Sequence, residues 1–103
     1  MVTKHIDLLT DHAQKRCRTR GIRMPMIAKV IDHFDRDVAI GGSCHALSLS
    51  PTALTGLQQS GMAVDEVEGL RRLVVVWSDR SGRIVTAFRA DNGRRGRRYM
   101  RQL

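Results

Sequence analysis

Apolar residues follow a helical rhythm in the first third of the chain and an alternating one in the last third. Thr10 to Ile22 reads as a short helix carrying Ala13 and Cys17 four residues apart. Asp11 is placed to cap its start, Gln14 to reach back to that cap, and Gly21 to end it in the left-handed conformation. Pro25 opens a second helix whose Ile27, Val30, Ile31 and Phe34 keep the i, i+3, i+4, i+7 spacing of a buried face. Met24 and Met26 fill core space beside it, while Asp32 and Asp35 belong to its wet side. Short strands follow over Asp37 to Ile40 and Cys44 to Leu49, joined by Gly41-Gly42. Ser50-Pro51 starts a third helix, with Leu54 and Leu57 apolar and Gly61 near its end. Met62 to Gly69 carries Asp65, Glu66 and Glu68 and reads as a solvated connecting loop.

The second rhythm begins at Leu70 to Ser78. Its L-V-V-V-W run has the β-branched character of a central strand covered on both faces. A turn at Asp79 to Gly82 returns the chain through Arg83 to Arg89, where Ile84, Thr86 and Phe88 alternate with Val85, Ala87 and Arg89. Trp77 beside a valine run reads as a packed anchor. Val2 to Leu9 is an extended lead-in. The sum is an α+β domain over residues 1–91, an antiparallel sheet packed against the N-terminal helices, with a short inserted helix near 50–61. Residues 92–103 form an arginine-rich tail in which Tyr99 and Met100 are placed to dock back on the sheet.

Length and charge narrow the function. At 103 residues and 42% hydrophobic, the chain has room for one modest core and no second domain. Eighteen Lys and Arg residues against ten acids give a net charge of +8. The excess is clustered at Lys15, Arg16, Arg18, Arg20 and Arg23, and again at Arg94, Arg95, Arg97, Arg98 and Arg101. Such clusters attract polyanions, nucleic acid first, an acidic protein second and an anionic membrane surface third. No membrane partner is expected, because no apolar run is long enough for a span or a signal peptide. Cys17 and Cys44 form no disulfide framework, so the chain reads as cytoplasmic. His5, His12, His33 and His45 lack zinc-ligand spacing, and no phosphate loop or nucleophile elbow is present; neither metal nor cofactor is expected.

The densest chemistry lies on the first helix. At about 100° per residue, with His12 at zero, Arg16 falls near 40° and Arg20 near 80°, beside the apolar stripe of Ala13 and Cys17. A cationic row at a core edge suits a phosphate site. The same residues also serve structure: Arg20 can cap carbonyls or pair with a carboxylate, and His12 can be a satisfied boundary residue. Gln14, Lys15, Arg18 and Thr19 complete the helix circumference.

His12-Ala13-x-x-Arg16-x-x-x-Arg20-Gly21-Ile22, an amphipathic helix after it, and Ile84-Val85-Thr86-Ala87-Phe88 late in the chain together resemble an uncharacterised bacterial domain family. That family is grouped with the RelE-like toxins within the barnase, EndoU, colicin and RelE-type ribonuclease fold. The resemblance covers Thr10 to Arg89, with the helix at 50–61 an insertion relative to the shortest members. It implies metal-independent RNA cleavage, in which a 2′-hydroxyl attacks the adjacent phosphodiester and the protein supplies a base, cations for the charged intermediate and a proton for the leaving oxygen. His12 would be the base or acid, and Arg16 and Arg20 the phosphate clamp, with Thr86 and Arg89 facing the same cleft. Lys15, Arg18, Arg23, Arg94, Arg95, Arg97, Arg98, Tyr99 and Arg101 would hold the rest of the RNA, free or on the ribosome. The resemblance also implies an acidic antitoxin. The chain departs from well-studied RelE-type toxins in lacking a lysine-rich catalytic helix. A non-catalytic nucleic-acid-binding module and a small protein-binding inhibitor or accessory factor are the alternative expectations.

Overall fold

The computed structural model describes residues 8–90. Its elements run α1 (Asp11–Arg20), α2 (Met24–His33), β1 (Arg36–Gly41), β2 (Cys44–Ser48), α3 (Pro51–Gln59), α4 (Val64–Leu70), β3 (Leu73–Ser78) and β4 (Arg83–Arg89). The four strands form one sheet in the order β1-β2-β3-β4, every pair antiparallel. The fold is α+β, as the two rhythms require. No helix among the described residues is long and apolar enough to cross a membrane.

α1 begins one residue earlier in its capping than expected. The Thr10 hydroxyl, not the Asp11 carboxylate, accepts the Ala13 N–H at 3.1 Å. Asp11 instead occupies the first turn, where its charge favours the positive end of the helix. Gly21 ends α1 at φ 69°, and the Ile22 N–H returns to the Cys17 carbonyl at 2.9 Å. α2 has Pro25 in its first turn and no side-chain cap. Its buried residues are Ile27 and Val30; Ile31 is half-buried and Phe34 is 38% exposed, so the expected four-residue stripe is half as wide as the spacing predicted.

The expected solvated loop at 62–69 is a helix. Val67 and Leu70 are both buried at i, i+3 spacing, and Asp65 and Glu66 lie in the first turn, where acids are favoured. Acidity therefore marked a helix start, not a loop. Glu66 pairs with Lys29 of α2 at 3.3 Å and Glu68 with Arg71 at 2.8 Å. Asp35, just past the end of α2 and exposed as expected, accepts the Ser50 N–H at 2.8 Å, tying the end of α2 to the start of α3.

All four helices pack on one face of the sheet. Ala13 and Cys17, Ile27 and Val30, Leu54, and Val67 with Leu70 meet Leu73, Val75, Ile84 and Ala87 in one cluster. Val74, Val76 and Ala46 are buried on the opposite face, beside Val85 and Phe88. The valine run is thus buried on both faces. β4 does not alternate as expected, because the register shifts between Val76 and Trp77: Val76 pairs with Thr86 but Trp77 pairs with Ile84. That bulge gives the helix-facing core both Ile84 and Ala87. It also seats the lead-in to α1, since Ile84 donates its N–H to the Leu8 carbonyl and accepts the Thr10 N–H at 3.0 Å. Leu9 is buried there.

Candidate nucleic-acid interface

β4 fixes the position of α1, and the contacts between them bring three expected site residues together. Arg20 donates from Nη1 to the Ala87 carbonyl at 2.8 Å and to the Thr86 hydroxyl at 3.4 Å. Arg89 reaches back from the end of β4 and donates to the Arg20 carbonyl at 3.3 Å, satisfying one of the free carbonyls at the end of α1. Arg20, Thr86 and Arg89 therefore interlock the last turn of α1 with β4. One turn earlier on the same flank, Arg16 Nε donates to His12 Nε2 at 3.3 Å. Nε2 is thus the accepting ring nitrogen, and Nδ1 makes no hydrogen bond among the described residues. His12, Arg16 and Arg20 are all exposed, so hydrogen bonds, not packing, hold this cationic row.

The other cations of α1 divide around the helix. Lys15 is exposed next to Arg16. Arg18 and Arg23 lie on the opposite flank, at the rim of a cavity of about 360 Å³ floored by Leu9, Cys17, Ile22 and Met24. Cys17 is part of this floor and of the core; burial pushes its thiol pKa up against the smaller opposing pull of Arg20, which keeps it in the unreactive thiol form. Among the described residues, none of Lys15, Arg16, Arg18, Arg20, Arg23 or Arg89 forms an ion pair. No carboxylate among the described residues therefore lies within ion-pair distance of them. Arg94, Arg95, Arg97, Arg98, Tyr99 and Arg101 lie outside the described residues.

A second charged group was not anticipated. His45 on β2 is held between two carboxylates, Nδ1 at 2.7 Å from Asp37 Oδ1 and Nε2 at 2.6 Å from Asp79 Oδ2. The hydrogen bond to Asp37, then that to Asp79, raises the His45 pKa, against a smaller desolvation effect. The three residues are far apart in sequence, and only the β1–β2 register and the turn after β3 bring them together. A strand alternation that places Asp37 and His45 on the face of Leu47 was the one available signal. No group of three or more His, Cys, Asp or Glu residues that could hold a metal occurs among the described residues.

Comparison with protein-family models, with curated proteins and with solved structures finds no match to this chain.

Proposed function

We propose that the protein binds RNA through the exposed surface of α1, with the α1–β4 seam at its centre. The observation that carries this reading is the row of arginines without a carboxylate partner among the described residues, fixed at one end by bonds to β4. Cationic charge crowded on a short helix with no ion pair among the described residues, in a chain of +8, favours a polyanionic partner. Anisotropy titration of a labelled single-stranded RNA across salt concentrations tests it. Replacing Arg16, Arg18 and Arg23 together by Ala should lower affinity and flatten the log–log salt slope by about 0.7 for each arginine that meets a phosphate. Equal affinity and slope in parent and variant would remove this surface from the interface.

The Arg16–His12 hydrogen bond favours a second reading, metal-independent endoribonuclease activity of the kind found in the RelE-like toxins that the sequence resembles. With Arg16 turned from His12 Nε2 onto the phosphate beside the remaining donors of Arg20, the freed Nε2 lone pair would take the proton of the 2′-hydroxyl, and the imidazolium so formed would give it to the leaving oxygen. The protein should then cut RNA in EDTA, spare DNA, and leave 2′,3′-cyclic phosphate ends. His12→Ala should slow cleavage by about 10²-fold or more with little change in RNA affinity. RNA left intact after long incubation, both free and on translating ribosomes, would leave binding alone. An acidic antitoxin would cover the same arginines and is a partner of this reading.

A further inference from the structure

A cavity of about 380 Å³ opens between the end of α2, Leu8 and the sheet. Ile31 and Phe34 from α2, Leu47 from β2 and Trp77 from β3 give it an apolar wall. Phe34 is 38% exposed, an uncommon position for phenylalanine unless something covers it. The polar part of the lining is the Asp37–His45–Asp79 group. Both ring nitrogens of His45 are engaged by carboxylates, so the ring has no nitrogen free to exchange a proton with a bound molecule. What the group offers is its outer carboxylate oxygens. His45 uses Oδ1 of Asp37 and Oδ2 of Asp79, leaving one oxygen on each, and the two side chains are 48% and 59% exposed. Two carboxylates against one imidazolium make the rim net negative on a protein that is otherwise basic. Two aromatic residues, Phe34 and Trp77, add ring surfaces of the kind that attract organic cations.

We propose that this cavity binds a small amphiphilic organic cation, an apolar body of about one aromatic ring in the pocket of Phe34 and Trp77 carrying an ammonium group that pairs with Asp37 and Asp79. The volume is at the low end of the range for small-molecule pockets, and the lining has their usual make-up: mostly apolar, with a few convergent polar atoms that fix orientation. A phosphate-bearing ligand is disfavoured here by the same carboxylates. The site is therefore distinct in chemistry from the arginine surface of α1, and does not depend on it.

Trp77 is the only tryptophan in the chain, so its emission reports on this cavity directly. Three probes with one apolar body and different heads separate the contributions: 4-phenylbutylammonium, 4-phenylbutanol and 4-phenylbutyrate. The ammonium compound should shift Trp77 emission saturably and bind at least about tenfold more tightly than the carboxylate, with the alcohol between them. Asp79→Asn should erase most of the preference for the cation while leaving binding of the alcohol. Phe34→Ala, at an exposed position, should weaken all three probes, the ammonium compound most. Circular dichroism of each variant establishes that it is folded. No saturable change with the ammonium probe, equal affinity for the three heads, or an undiminished cation preference in Asp79→Asn would each overturn the proposal.

Discussion

α1 and α2 are both ten residues long and lie on the same face of the sheet, yet they are held there by different physics. α1 buries only Ala13 and Cys17, both small, and depends on its ends: the Thr10 cap, the left-handed Gly21, and the Arg20 and Arg89 bonds to β4. α2 has no side-chain cap at its start and depends on Ile27 and Val30, both fully buried. A helix secured at its ends leaves its outer circumference free for charge, and α1 fills that space with arginines. A helix secured by its core face leaves only its margin free, and α2 uses that margin, Ile31 and Phe34, to wall a cavity. The difference explains how one small sheet carries a basic surface and an acidic-rimmed pocket without either cancelling the other.

The largest effect should come from breaking the packing of α2. Ile27→Asp places an unpaired carboxylate where no solvent reaches, at a cost of several kcal/mol, enough to abolish cooperative unfolding in a domain of this size. Ile31→Asp, four residues on and half-buried, should remain folded with a modestly lowered Tm. Thermal denaturation of the two variants checks the assignment. If both unfold the protein equally, the buried face of α2 is wider than its burial pattern indicates.

Both helices were legible in the sequence, but for unequal reasons. Gly21 and Pro25 are residues whose backbone chemistry dictates where a helix stops or starts, and the ends they predicted are those observed. Burial was less legible, because periodicity shows which residues share a face and not how far the neighbouring layer extends over it; Ile31 and Phe34 share the face of Ile27 and lie past its cover. α4 was missed because three acids in seven residues resemble a loop, whereas two of them occupy the helix turn that favours negative charge. The bulge in β4 was invisible for a similar reason: strict alternation is a fair expectation until a partner strand imposes a register shift. Of the site, α1 and its cations could be read locally. The Asp37–His45–Asp79 group could not, since its members are brought together only by strand pairing and a turn.

A smaller effect should follow from loosening the ends of α1. Gly21 sits at φ 69° with nothing within 4 Å of an added Cβ, so Gly21→Ala isolates backbone strain from any clash and should cost about 1 kcal/mol. Thr10→Ala removes the cap and should cost about the same. The two sites close opposite ends of one helix, and urea midpoints of the single and double variants measure whether they act independently. Either variant should also weaken RNA binding more than its stability loss alone explains, because both ends position the arginine row. A double variant as stable as the parent would show that the β4 bonds of Arg20 and Arg89 suffice to hold α1.

The smallest effect concerns the sheet side of the cavity that α2 walls, and pH reveals it. The hydrogen bonds to Asp37 and then Asp79 raise the His45 pKa above its ordinary 6.5 in the folded protein. A group whose folded pKa is raised binds its proton more tightly when folded, so the stability it contributes is fully present below about pH 6.5 and is lost as pH rises through the folded value. His45→Gln keeps a polar side chain that can still hydrogen-bond but cannot carry the proton. The Tm difference between parent and variant should therefore be larger at about pH 5.5, below the ordinary pKa of the ring, than at about pH 9. High salt should narrow the difference, since the three side chains are partly exposed. A gap that is the same at both pH values would mean that the ring stabilises the sheet by packing, with the carboxylates as bystanders. Asp37 and Asp79 would then lack the imidazolium that holds the two side chains together at the rim of the cavity.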